Sequence, residues 1–282
     1  MTARELIDRR YSCRTYLPEP LSGEHRQALA AAMAARTRGP LGSSVRFGLI
    51  AASPDDASSL RRLGTYGFIK GATGFIVGAV HRGAKDLEDY GHLLEQVILD
   101  ATGLGLGTCW LGGTFTRSTF TARFGGVARG ETIPAVVSIG YPADDGRERI
   151  REREEGARRL PPEELFFDSS FGAPLERARM DGFVDALEAV RMAPSATNKQ
   201  PWRLVRSGGD WHFYLSRSRG YGGAAFRLVR IADLQRVDLG IAMCHFEVAA
   251  RAAGLSGGWV VEDPGLPTPA RSVEYTATWR GA

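Results

Sequence analysis

The chain has 282 residues, 43% hydrophobic and 24% charged, with a formal net charge of +4. That is the balance of a globular protein with a real core, in one large domain or two of ordinary size. No run reaches the roughly 18 apolar residues of a membrane span, and the arginines are interleaved with acids rather than gathered with aromatics, which argues against nucleic acid as a partner.

In chain order, Glu5 to Arg9 ends a first short helix and leads into the basic segment RRYSCRTY, Arg9 to Tyr16. Ser22 is placed to cap a helix through Ala35, because Leu29, Ala32 and Met33 recur at helical spacing behind it. Phe47–Ala51 and Phe75–Val80 read as strands, Asp86–Thr102 as a helix, and Val136–Ile139 as a strand ending in Gly140-Tyr141-Pro142. From Ala143 to Pro174 the chain turns charged and then Pro-rich, through the mixed-sign run Gly146 to Arg159. This places a crossover between two halves, residues 1–165 and 166–282. Met180–Met192 then reads as a helix leading into APSATNKQPW, Ala193 to Trp202. Trp202–Val205 and Trp211–Leu215 form a hairpin around Gly208-Gly209, Asp233–Ala253 a helix, and Val273–Trp279 a last strand. The expected class is α+β, built on two related sheets.

The relation between halves is visible in the residues. Asp89–Trp110 and Asp238–Trp259 align over 22 positions without a gap, with six identities: Asp89/Asp238, Gly91/Gly240, Ala101/Ala250, Gly105/Gly254, Leu106/Leu255 and Trp110/Trp259. Both read as an amphipathic helix, a Gly-Leu turn and a strand. His25, His81, His92, His212 and His245 are scattered. His92 and His245 lie in the two repeated helices at different offsets, which argues against a duplicated role. Cys13, Cys109 and Cys244 form no CxxC pair, and the charged N-terminus lacks an apolar leader, so a cytoplasmic location is expected.

Two segments about 180 residues apart carry the chemistry. Arg10 and Arg14, four residues apart with Ser12 between them, can serve one oxyanion, since guanidinium groups stay charged and bind such groups bidentately. APSATNKQPW is a run of small and amide side chains. Its Pro194 and Ser195 should end the preceding helix, and Trp202 should enter the core. Together these motifs resemble those of the nitroreductase family of FMN enzymes, which open with an Arg-Arg-Ser-x-Arg type motif and carry a PSxxNxQPW motif that faces it across a dimer interface. Both motifs here occur once, in one chain, which resembles the subgroup with two nitroreductase-like halves fused into a pseudo-dimer.

The resemblance implies FMN as cofactor and NAD(P)H as reductant, with hydride passing at flavin N5 to a small oxidised acceptor and no catalytic side chain required. It implies cofactor contacts from Arg10, Ser12 and Arg14, with Tyr11 where a second basic residue is usual. It also implies contacts from Pro194, Ser195, Ala196, Asn198 and Gln200, with Gln200 free to brace the loop instead. Gly105–Phe115 matches the Gly-rich segment over the flavin ring, giving backbone contacts at Leu111 and Gly112. Arg158 and Arg159, before LPPEELFF, stand where late phosphate contacts are expected. The mirror of APSATNKQPW in the first half is RGPLGSSVRF, Arg38 to Phe47, which lacks the Asn-x-Gln-Pro-Trp, so a single site per chain is expected and a monomer suffices to build it. The alternatives are a relative that binds or scaffolds without turnover, and a specialised metabolite flavoenzyme of the same fold.

Overall fold

The computed structural model describes residues 1–52, 60, 65, 67–143, 158–218 and 231–281. Helix α1 (Ala3–Arg9) opens with a capping box: the Thr2 hydroxyl accepts the Glu5 N–H and the Glu5 carboxylate accepts the Thr2 N–H. Helix α2 (Gly23–Ala34) is capped by Ser22, as its sequence predicts. The first sheet contains β1 (Val45–Ala51), β2 (Gly74–His81), β3 (Gly107–Leu111), β4 (Glu131–Thr132) and β5 (Val136–Gly140). Helix α3 (Asp86–Gly103) joins β2 to β3, and α4 (Arg117–Arg123) follows β3. After α5 (Pro162–Leu165) come β6 (Phe166–Asp168), α6 (Val184–Met192), β7 (Trp202–Ser207), β8 (Asp210–Ser216), α7 (Leu234–Ala252), β9 (Gly257–Val260) and β10 (Val273–Gly281).

The two sheets share one path. The first runs β1-β2-β5-β3, with β4 beside β2, and the second runs β6-β7-β8-β10-β9. With β6 set aside, each strand of the second sheet has a counterpart in the same spatial order, and each sheet carries its long helix between its second and third strands. All pairings are antiparallel except β6 with β7. The molecule is therefore α+β, with two related halves packed as an intramolecular pseudo-dimer. The helix predicted from Met180 starts at Val184, because Asp181 and Gly182 both take left-handed backbone angles, φ 43° and 83°. Short elements without a long apolar pattern, α4, β4 and β6, were not legible in the sequence. Of the mixed-sign run Gly146 to Arg159, only Arg158 and Arg159 fall within the described residues.

Helices α3 and α7 pack against each other and are buried on nearly every face. A Cβ at Gly91 would overlap the carbonyl oxygen of Val237, and one at Gly240 would overlap that of Glu88. Each carbonyl belongs to the residue three positions before the other glycine, so the crossing is reciprocal, as a pseudo-two-fold requires. Two buried His–Glu contacts flank it. His92 Nε2 lies 2.9 Å from Glu247 Oε2, and His245 Nε2 lies 3.0 Å from Glu95 Oε1. Each glutamate also accepts the indole N–H of its own half's repeated tryptophan, Glu95 from Trp110 and Glu247 from Trp259. The unequal offsets of His92 and His245 thus conceal an equivalent role, correcting the inference from spacing. Side-chain reach absorbs the difference in helical position, which a gapless alignment cannot register.

His245 Nδ1 lies 3.0 Å from the Ala189 carbonyl, which can only accept, so that nitrogen is the donor. Burial pushes the Glu247 carboxyl up, but the hydrogen bonds from His92, Arg251 and Trp259 outweigh it and hold the pKa down at about 2.

Gly91→Ala and Gly240→Ala should each lower stability by about 1–3 kcal/mol, since a backbone carbonyl cannot move aside as a side chain can. Gly23→Ala, where a Cβ meets nothing within 4 Å, should not destabilise. Urea unfolding of the three variants checks this. Because its folded pKa lies below the unfolded value, Glu247 contributes stability that is complete above about pH 4.5 and is lost as pH falls through about 2. Between about pH 5 and pH 3, the wild type should therefore lose about 2 kcal/mol more than Glu247→Gln, as read from denaturation midpoints.

Candidate functional site

After α1 the chain lies along β3. The Cys13 N–H donates to the Thr108 carbonyl at 2.9 Å, and the Tyr16 hydroxyl sits 2.9 Å from that of Ser138 on β5. This pins Ser12 and Arg14 between two ordered anchors, and one guanidinium nitrogen of Arg14 donates to the Ser12 carbonyl at 3.1 Å.

Opposite stands the loop after α6. Helix α6 ends at Met192, in agreement with Pro194 as a helix stop. Thr197, Asn198 and Gln200 all take positive φ, 50°, 55° and 48°. Such backbone persists only where its surroundings hold it, and three side chains do so here. Arg159 donates to the carbonyls of Ala193 and Met192 and to Asn198 Oδ1. Gln200, 2% exposed, accepts the Leu160 N–H and donates to the carbonyls of Arg158 and Asn198. Asp238 receives the Ala196 N–H on both carboxylate oxygens.

Asp238 and Asp89 are equivalent in the repeat, and they act alike. Asp89 accepts the N–H groups of Leu41 and Ser43, both at 2.8 Å. The correspondence of RGPLGSSVRF with APSATNKQPW is thus built into the structure: each loop is nailed to a long helix by the same aspartate of its own half. Burial pushes both carboxyls up, against the pull of these backbone donors, and Asp238 is shifted well above the ordinary carboxylate range.

Between the N-terminal segment and the loop lies a cavity of about 160 Å³, walled by Ser12, Arg14, Gly112, Pro194, Ser195, Ala196 and Asp238, with Trp110 beside them. Six of the residues marked in the sequence therefore meet at one place. A Cβ at Gly112 would strike the Leu234 side chain, so glycine is what lets Leu234 pack against this wall. The other marked residues stand behind it. Leu111 is in the core, and Arg158 is exposed. The Tyr11 carbonyl accepts the Cys13 N–H, and Asn198, Gln200 and Arg159 brace the loop as described. Arg10 is almost fully buried, with its Nε 3.7 Å from Glu95, and reaches the cavity only through Glu95, which holds Trp110. Asp238 was not marked by its residue type. The identity of Asp89 and Asp238 in the repeat was the available signal.

Among the described residues no helix is long and apolar enough to cross a membrane, and no cluster of His, Cys, Asp and Glu could hold a metal ion. A family model described as "Putative TM nitroreductase" matches residues 2–250. The fold is similar to the crystal structure of a "putative nitroreductase" from Thermotoga maritima, with a TM-score of 0.61 at 19% identity over 99% of this chain and 93% of that one. A nitroreductase family protein from Clostridium difficile matches 58% of this chain and 96% of its own at 19% identity, TM-score 0.43. A nitroreductase with bound FMN from Bacteroides fragilis matches 51% of this chain and 90% of its own at 20% identity, TM-score 0.38. No curated protein matches the sequence.

Arg159→Ala removes donors from three acceptors of one loop. It should lower the stability of cofactor-free protein by about 2 kcal/mol, readable as a fall in urea midpoint. An unchanged midpoint would show that these bonds do not brace the loop.

Proposed function

The chain belongs to the TM nitroreductase family, and from that premise we propose that it is an FMN-dependent oxidoreductase passing hydride from NAD(P)H to a small oxidised acceptor such as a nitroaromatic or a quinone. One observation carries this reading: a single cavity joins Ser12 and Arg14 to Pro194, Ser195 and Ala196. When bound, FMN supplies the hydride chemistry at N5, and the protein supplies orientation and charge.

The donor set suits such a ligand. Arg14 brings a permanent cation and Ser12 a hydroxyl. Ser195 Oγ already accepts the Gln200 N–H, which leaves its own proton to donate into the cavity. At about 160 Å³ the cavity is smaller than the roughly 300 Å³ at the low end of ligand pockets, so it encloses only part of the cofactor. A flavin-free binding relative is the second reading, favoured by that volume and by the burial of Arg10 against Glu95.

The opposite wall supports one site per chain. The repeat counterparts of Val237 and Ile241 on the cavity wall are Glu88 and His92. Glu88 is held by Arg236 and His92 by Glu247, so hydrogen-bonded charge stands where the second site would be. We therefore propose one FMN per chain, completed within a monomer whose halves are residues 1–165 and 166–282.

Arg14→Ala should weaken FMN binding about tenfold or more, as the loss of a charge-assisted contact of about 1.5–3 kcal/mol requires, and Ser195→Ala should weaken it less. Titration of cofactor-free protein by flavin fluorescence measures both. Anaerobic NADH or NADPH should bleach the bound flavin and a nitroaromatic restore its colour, while light scattering with flavin quantification should give one FMN per monomer. A flavin that binds but resists both nicotinamides would favour the second reading.

A further inference from the structure

The buried glutamates at the helix crossing hold two tryptophans in the same way, but the two indoles meet different surroundings. Trp259, held by Glu247, sits in an aromatic cluster, with its ring centre 4.9 Å from that of Phe213, 5.3 Å from Trp279 and 6.1 Å from Phe246. Trp110, held by Glu95, meets Tyr90 edge-on with ring centres 6.5 Å apart. It packs against the same core cluster as Val237 and Ile241, which wall the cavity of about 160 Å³, and it lines that cavity with them. Among the described residues it is the one aromatic side chain there. Its Nε1–H points to Glu95 Oε2 at 2.7 Å, and Glu95 is fully buried behind the cavity wall. The polar atom of the indole is thus engaged in the core, which leaves hydrocarbon toward the cavity.

Glu95 is itself held from elsewhere in the fold. His245 Nε2, on α7, lies 3.0 Å from its Oε1, and Arg10 Nε lies 3.7 Å from the same oxygen. The His245 ring is fixed in turn by the Ala189 carbonyl. The orientation of the Trp110 indole is therefore set by residues of both halves. A flat apolar face that is already ordered gives up no rotamer freedom when a ring is laid against it, and paired aromatic faces gain beyond their area burial. We propose that Trp110 is the side chain that meets the flat ring of the cofactor, and that Glu95 is its positioning residue, holding the indole face toward the cavity. The assignment rests on the flavin reading and adds to it which part of the cofactor the cavity encloses, namely the ring end.

An indole face against a flavin quenches its emission, whereas a phenyl ring offers a flat apolar surface without quenching. FMN is therefore titrated into the cofactor-free full chain, reading both the dissociation constant and the emission of the fully bound flavin. Trp110→Phe should keep the affinity within about threefold of wild type and raise the bound emission severalfold. Trp110→Leu should raise the emission likewise and weaken binding about tenfold. Glu95→Gln, whose amide oxygen can still accept the Nε1–H, should stay near wild type in both readings. Glu95→Leu, which removes that acceptor, should weaken binding and release part of the quenching. Trp259→Phe, in the twin arrangement, should change neither reading. Wild-type affinity and quenching in both Trp110 variants would overturn the assignment and leave the flavin reading intact, and these two variants decide it even where Glu95→Leu fails to fold. Wild-type behaviour of a folded Glu95→Leu would overturn the role of Glu95. A wild-type chain that binds no FMN would overturn the flavin reading and this assignment with it.

Discussion

Two long helices cross at a point where neither can carry a side chain. Gly91 and Gly240 each lie against the other helix's backbone, which brings the axes close and sets where every other residue of α3 and α7 must sit. That closeness turns polar side chains inward, and they have to be satisfied there. The buried pairs His92–Glu247 and His245–Glu95 do this, each glutamate completed by an indole N–H. Removing one member would leave a buried charge or donor alone, which costs more than the pair contributes.

From this crossing the candidate site follows. Asp238 lies two residues before Gly240, so fixing the crossing also fixes the aspartate that holds the loop at Ala196. Glu95, one helical turn after Gly91, anchors Trp110 on the cavity wall and has Arg10 beside it. The cavity is thus framed by residues that also hold the pseudo-dimer together. Its loop keeps three non-glycine residues at positive φ, a conformation maintained by Arg159 and Gln200 from behind the loop and by Asp238 on the cavity wall. Backbone strain of this kind is common where a ligand is gripped by main chain instead of long side chains.

The same geometry keeps the two halves alike in form while their linings differ. Both aspartates nail a loop, and both glutamates receive a tryptophan. At the next positions the halves diverge: Val237 and Ile241 leave room beside Ala196, whereas Glu88 and His92 fill the equivalent space with hydrogen-bonded charge. A symmetric frame thus carries an asymmetric lining without disturbing the crossing on which both halves depend.

How much of this was legible in the residues depends on the range of the interaction concerned. Ser22 as a cap, the strands around Phe75 and Val136, the hairpin at Gly208-Gly209 and the two long helices could be read because capping, alternation and turn chemistry act over a few positions. The repeat was legible because identical residues at identical offsets need no structure to be compared, and the two motifs pointed to one site because each has its own composition. The sequence by itself thus determined the class of fold, the relation between the halves and six residues of the cavity wall. Only the tertiary structure decided that Asn198, Gln200 and Arg159 brace the loop, that Arg10 is buried beside Glu95, and that His92 and His245 are partners in one design despite their unequal spacing. An arginine or an amide has the same donors whether it faces a ligand or a carbonyl, and which it faces is settled by the packing of residues tens of positions away.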